Sequence, residues 1–304
     1  MKSLPLNKKG YTVALVGLVI LSCVLSAKAE DTEGATQSSD DVARELINPN
    51  SSLATLNLKN QYRWYTGDLP GAEDQGNYTM VFQPVFPLAL PAKSNGDKAN
   101  IFLRPAIPIL FNQPVPKASG GGVDYDGTTA LGDIQFDLAY GVSKASGFLW
   151  AAGVVGTLPT ATDSDVAGKQ FRLGPEMLLA KFEPWGLYGI FPSHQWNVAG
   201  WSDKTYNTTT LQPVLKFILK DGWTLGTAPI GSYDWQADEW TYPVNFDISK
   251  TVVLGKTPWK FDVEFNWYFV QPDEFGPEFM IGFNIAPVVS NPFQKPFNKM
   301  LGIE

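Results

Sequence analysis

The sequence predicts an all-β fold, a transmembrane antiparallel up-and-down β-barrel of about 12 strands. Three observations predict it: an export leader at the N-terminus, period-two alternation through most of the chain, and connections that differ in charge between the two ends of the strands.

The leader comes first. Lys8 and Lys9 precede an uncharged apolar run from Tyr11 to Ser26, and Ala27-Lys28-Ala29 then supplies a small-x-small cleavage pattern. Residues 1–29 are therefore expected to be a signal peptide, because the run is shorter than the about 20 residues a membrane-spanning helix needs. Cys23 is the only cysteine, so the processed chain has no disulfide and no thiolate metal site. Cleavage removes Lys2, Lys8, Lys9 and Lys28 and no acid, shifting the formal charge of -7 to -11. That balance argues against a nucleic-acid partner.

Residues 30–52 are acidic, polar and free of aromatics, the composition of a flexible periplasmic segment. Asp40 and Asp41 ahead of Val42-Ala43-Arg44-Glu45-Leu46-Ile47 could start one short helix that stops near Pro49. From Leu53 onward large apolar residues recur at every second position, the mark of strands with two unlike faces. Trp259, Phe261, Val263, Phe265, Trp267 and Phe269 alternate with Lys260, Asp262, Glu264, Asn266 and Tyr268. The runs at Ile134–Val142, Trp240–Ile248 and Phe279–Ile285 are nearly as regular. Twelve strands are expected at about 53–65, 77–89, 100–111, 132–143, 147–158, 170–181, 186–198, 206–219, 223–236, 239–249, 258–270 and 277–288, within a barrel domain spanning 53–290. Residues 291–304 are expected to form a C-terminal periplasmic tail.

A soluble barrel also alternates, with its greasy face inward. Here the polar faces carry successive charges and the apolar faces are dense in Trp and Phe, which favours the inside-out arrangement of an outer-membrane barrel. Trp223 opens one strand and Tyr233 and Trp235 close it, about 12 residues or roughly 28 Å of membrane normal apart at 45° tilt, a separation suited to two aromatic girdles. An even strand count places odd-numbered connections outside. Those outer loops hold Asp68, Glu73, Asp74, Asp124, Asp126, Asp163, Asp165, Asp203, Asp238, Asp273 and Glu274 against Lys117, Lys169 and Lys204. The opposite turns hold Lys93, Lys98, Lys144, Lys220, Lys250 and Lys256 against Asp97, Glu183 and Asp221.

The candidate functional residues are the inward charges Lys59, Arg63, Arg104, Asp133, Asp137, Arg172, Glu176, Lys216, Asp247, Lys260, Asp262, Glu264 and Glu278. They either line a lumen and set solute preference or pair across strands and fill it. Twelve strands lie between the eight that enclose little and the sixteen that leave a channel. The extracellular acidic loops, Asp68, Asp124, Asp126, Asp163, Asp165 and Asp273 among them, either favour cations at the mouth, share divalent ions with lipopolysaccharide, or form a solvated rim. Asp124-Tyr125-Asp126-Gly127 opens like a calcium loop but lacks the later ligands. No metal, other cofactor or catalytic residue is expected. His194, the sole histidine, adjoins Ser193, and neighbours on a strand point to opposite faces, so they cannot form a nucleophile–base pair.

Several stretches carry a resemblance: Gln61–Gly71, Leu103–Pro108, Leu131–Ile134, Gly156–Ala161, Phe191–Trp196 and Gln271–Pro277. Across residues 40–293 the chain resembles bacterial outer-membrane proteins related to the meta-pathway phenol-degradation transporter family, some of which carry the misleading label neuromedin U. The resemblance implies an outer-membrane channel or transporter for passive passage of small solutes, among them aromatic or hydrophobic compounds. The implied partners are the solute, outer-membrane lipid and lipopolysaccharide, and the barrel-assembly machinery during biogenesis. One departure concerns assembly: instead of ending on an aromatic, the chain continues through Asn291-Pro292-Phe293 to Glu304, which moves any closing aromatic to Phe293. Two other readings stand beside the channel: a structural or surface-interaction barrel with a closed lumen, and a lipid-modifying enzyme. The latter's spaced His-x-Ser-Asn-Gly pattern is absent, since Gln195-Trp196-Asn197 follows His194.

Overall fold

A computed structural model describes residues 38–303. The expected signal peptide, 1–29, and residues 30–37 lie outside the described residues. All the strands belong to one antiparallel sheet. The first strand, β1 (Ala54–Thr66), pairs with β2 (Gly76–Val85) on one side and with the last strand, β15 (Gly276–Val289), on the other. That pairing closes the sheet and removes its edges, as a membrane span requires when no water is present to satisfy free backbone groups. The circuit passes from β2 through β4 (Lys98–Ser119), β6 (Ile134–Ser143), β7 (Phe148–Leu158), β8 (Gln170–Glu183), β9 (Gly186–Gly200) and β10 (Asn207–Ile218). It then crosses the broken strand β11 (Trp223–Thr227) and β12 (Gly231–Asp234), and returns through β13 (Glu239–Leu254) and β14 (Thr257–Val270). These are the twelve barrel strands the alternation predicts. Two short-circuit strands, β3 (Leu88–Ala89) and β5 (Gly122–Leu131), pair only with β4.

The structure departs from the expected boundaries at several places: the expected strand 77–89 ends at Val85 and resumes only as Leu88–Ala89, and the expected strand 239–249 continues to Leu254. The expected strand 223–236 breaks at Ala228-Pro229-Ile230, because Pro229 has no N–H for the ladder. Neighbouring inward side chains satisfy the freed groups: Ala228 N–H donates to Asn245 Oδ1 (2.7 Å), and Gln212 Nε2 donates to the Ala228 carbonyl (3.2 Å). The expected outer loop 112–131 is instead a hairpin, in which β4 runs on past Asn112 to meet β5. Gly120 and Gly121 supply its two-residue turn, both with positive φ, as that turn class demands.

Faces follow the alternation. On β14 Val263, Phe265, Trp267 and Phe269 are exposed while Asn266 is buried; on β13 Val244 and Phe246 are exposed while Asn245, Asp247, Ser249 and Thr251 are buried. A belt of exposed large apolar residues around a polar interior is the inverse of a soluble core. Aromatics gather at both rims of the belt: Trp185, Tyr188, Phe217 and Trp223 at the short-turn end, and Tyr62, Trp64, Trp196, Trp201, Trp235 and Trp240 at the long-loop end. The chain is therefore built as an outer-membrane β-barrel.

Helix α1 (Ser39–Leu46) begins at Ser38, whose Oγ accepts the Asp41 N–H at 3.2 Å. Helix α2 (Gln294–Met300) follows β15 and is held by Gln294, whose side chain exchanges two hydrogen bonds with the Ala89 backbone (2.8 and 3.0 Å). Phe293, at its start, packs edge-on against Phe86 with centroids 5.3 Å apart. Both helices lie at the short-turn end, where an even strand count puts both termini. No helix among the described residues is long and apolar enough to cross a membrane; the strands cross it.

Candidate functional site

The candidate site is the barrel interior, which changes character along its axis. At the short-turn end α1 is seated inside the barrel. Val42 and Ala43 are 1 % exposed, Arg44 donates to the Glu183 and Pro184 carbonyls and lies 5.1 Å over the Phe182 ring, and Asp40 accepts the Gly222 N–H. Asn50 donates to Ser143 Oγ (2.8 Å) while its carbonyl accepts from Asn100 Nδ2 (2.8 Å). Gly141 leaves the space that Asn50 occupies, since a Cβ there would collide with its amide. Behind the helix, Ile47 joins an apolar cluster of Phe102, Leu149, Leu178, Leu187 and several alanines. Alternation alone marked the inward face as hydrophilic throughout; at this end it is greasy because it packs against the N-terminal segment.

Above Pro49 lies a cavity of about 270 Å³. It is lined by Phe102, Leu178, Phe191 and Val214 together with Arg104, Glu176, Gln212 and Lys216, apolar and polar residues alternating at successive inward positions of the same strands. Arg104 and Asp137 are cross-strand partners, with Nε 2.7 Å from Oδ1. Lys216 and Asp247 form the second pair, although they stand on β10 and β13 with β11 between them. The residue between is Gly226, and only a glycine lets the ammonium pass over the strand; an added Cβ would lie 2.6 Å from Lys216 Cδ. The same device recurs on the far wall. Gln61 Nε2 donates to Glu264 Oε1 at 3.0 Å across Gly282 of the intervening β15.

Asp262 accepts from Asn284 Nδ2 (2.7 Å), and Lys59 and Lys260 belong to the same inward rows as Gln61 and Glu264. Toward the long loops, Arg63 donates to Gln61 (2.7 Å) and Thr79 (3.4 Å). Tyr65, Asn77 and Gln113 close a ring of hydrogen bonds: Tyr65 Oη to Asn77 3.1 Å, Asn77 to Gln113 2.7 Å and Gln113 to Tyr65 3.2 Å. Phe275, from the β14–β15 connection, stacks on Tyr65 at 4.7 Å and meets Tyr125 of the hairpin at 5.4 Å, tying the outer loops together. Glu278 lies at the outer end of β15, partly buried. Asp133 is committed to the loop above it, accepting from Ala161 N–H (2.9 Å) and Gly168 N–H (2.8 Å). Arg172 is 3.8 Å from the Tyr206 ring centroid.

The outer loops are tied to one another. Asp68 N–H donates to the Asp273 carbonyl (2.8 Å), and Asp163 Oδ1 accepts the Asp165 N–H (3.0 Å). Lys117 bridges the hairpin to the 159–169 loop through Asp126 (3.1 Å) and Asp165 (2.7 Å), and those bonds, Asp165 foremost, hold its ammonium above the ordinary lysine pKa. Asp124 stands beside Lys117 in the hairpin register.

His194 is on the outer face, with Nδ1 2.7 Å from Thr209 Oγ1 and its ring 4.2 Å from Trp196. Ser193 stands on the opposite face, in register with Glu176. Among the described residues no cluster of His, Cys, Asp and Glu could hold a metal.

No protein-family model matches the chain, and no curated protein matches it. Among solved structures it is similar to an outer membrane channel from Pseudomonas putida F1, at 12% identity and a TM-score of 0.52, over 80% of this chain and 99% of that one. It shares the barrel fold with that channel. Also matched are the β domain of the Bordetella autotransporter BrkA (9% identity, TM-score 0.44, 78% of this chain and 98% of that one) and an anion-selective porin from Comamonas acidovorans (8% identity, TM-score 0.35, 77% and 97%). Sequence reasoning had no means to find Ile47, Pro49, Phe102 or Phe191, because greasy residues at inward positions carry no mark of which end of the barrel they occupy.

Proposed function

We propose that the chain is an outer-membrane channel for passive passage of small solutes, closed in this conformation by its own N-terminal segment. The observation that carries the reading is an unfilled space of about 270 Å³ inside the barrel above Pro49, lined by charged and apolar side chains together. An interior filled only for stability would pack that space. The apolar part of the lining, Phe102, Phe191 and Val214, suits small aromatic or hydrophobic compounds, the class the family resemblance implies. The lumen charges act as the selecting groups and the acid-rich loops as the screen at the mouth. Lipid surrounds the aromatic belt, lipopolysaccharide meets its outer rim, and Phe293 is the closing aromatic offered to the barrel-assembly machinery.

The P. putida F1 structure is described as an outer membrane channel, in keeping with this reading. The test is single-channel recording in planar bilayers of the mature chain and of a variant lacking residues 30–50. The variant is expected to conduct more and to stay open longer; absence of conductance in both would favour a closed structural barrel. A lipid-modifying activity is tested separately: phospholipid hydrolysis that disappears in His194→Ala would replace the channel reading with a catalytic one.

A further inference from the structure

One carboxyl group at the cavity has no ion-pair partner among the described residues. Of the charges at the cavity, Arg104 is paired with Asp137 and Lys216 with Asp247. Glu176 remains. It lines the cavity, is 6 % exposed, and its Oε1 is buried without a hydrogen-bond partner among the described residues. Its cross-strand partners explain why: Gly153 on β7 has no side chain, and Ser193 on β9 offers a hydroxyl rather than a cation. The charged groups that act on it are Asp137 and Arg104, and Arg104 is already held by Asp137 at 2.7 Å. Leaving a carboxylate buried and unpaired costs stability, and such groups concentrate at ligand sites. Beside it, Phe102 and Phe191 line the space, with the Arg104 guanidinium 4.9 and 5.9 Å from their ring centroids, and the space is close to the roughly 300 Å³ at which small-molecule pockets begin.

We propose that this cavity binds a small organic ammonium, a primary amine on an aromatic or branched aliphatic body, whose head pairs with Glu176 and whose body packs against Phe102 and Phe191. The proposal rests on the channel reading in one respect, since it names a solute class for that lumen. The electrostatics give its direction: with two pairs cancelled, Glu176 is the carboxyl left for a ligand to pair, and an ammonium that pairs with it also stabilises its ionised form, which a neutral molecule of the same shape does not and an anion opposes.

The test uses the mature chain in detergent and calorimetric titration with three probes of one shape: 2-phenylethylammonium, 2-phenylethanol and phenylacetate. The ammonium is expected to bind saturably and at least tenfold more tightly than the other two, and Glu176→Gln to abolish that preference. Equal binding of the alcohol, no saturation by the ammonium, or an unchanged preference in Glu176→Gln would overturn the proposal. Ser193→Lys is an independent variant that places an ammonium opposite Glu176; it is expected to abolish binding, and retained binding counts against the site. Planar-bilayer conductance of the mature chain and of the variant lacking residues 30–50 separates the two readings. Conductance in either without amine binding leaves the pore and removes this site; amine binding with conductance in neither leaves the site and removes the pore.

Discussion

Single side chains in this barrel act through what stands between them. Lys216 reaches Asp247 only because Gly226 vacates the strand in the middle. Asp247 is 5 % exposed, so Lys216→Met leaves a buried unpaired charge. The expected cost is about 3 kcal/mol of unfolding free energy. Urea unfolding in a lipid or detergent host measures it, and the double variant Lys216→Met with Asp247→Leu is expected to recover most of the loss. Lys117 shows the exposed counterpart. Its pKa is raised by Asp165 and Asp126, so the folded loops hold the proton more tightly than the unfolded chain does. The pair's contribution is therefore complete below the ordinary lysine pKa of about 10.4 and fades only as pH rises through the raised value. Lys117→Met is expected to increase protease cleavage within 159–169 at neutral pH, whereas the wild-type loop stays protected until strongly alkaline pH. The pairs Arg104–Asp137 and Lys216–Asp247 also answer part of a choice the sequence left open: some inward charges neutralise each other, and Glu176 does not.

At the scale of elements, the plug is the informative part. Helix α1 has eight residues, too few to be stable by itself, so its order comes from its seat. Val42 and Ala43 supply the apolar contact, and Asp40 and Arg44 bond to the turns at Gly222 and Glu183-Pro184. Its composition, acidic and without aromatics, reads as flexible, and nothing in the local pattern says that a barrel mouth will receive it. The hairpin of β4 and β5 has the opposite history. Gly120-Gly121 announces a turn, yet the alternation around it is interrupted by Asn112, at positive φ, where the register slips, so the continuation of β4 could not be read. Likewise the strand expected from Trp223 to Trp235 breaks at Pro229, where Ile230 is exposed and Pro229 and Gly231 are buried.

For the whole molecule the decisive property is inversion. Phe246 is 51 % exposed on the outer face of β13, with buried Asn245 and Asp247 on either side of it in sequence. Phe246→Arg is expected to cost about 2–4 kcal/mol if that face meets the bilayer midplane. Folding into phospholipid vesicles, titrated with denaturant, measures this; an unaffected stability would mean that the face is in water. Closure also fixes the inventory of the lumen. Because β1 pairs with β15, Gln61 on one and Glu264 on β14 meet across Gly282, although they are far apart in sequence.

The amino-acid pattern was enough for the class of fold, the twelve strands and the two faces of the regular strands, because a side-chain period of two is a local property that survives any arrangement of neighbours. It also marked the two aromatic rims and the charge difference between the ends. Tertiary structure alone decided which inward residues meet, that the N-terminal helix seats at the short-turn end, and that Glu176 has no ion-pair partner among the described residues. Those depend on strand stagger and closure, which place residues from distant strands at one height in the barrel, and no local pattern encodes that height.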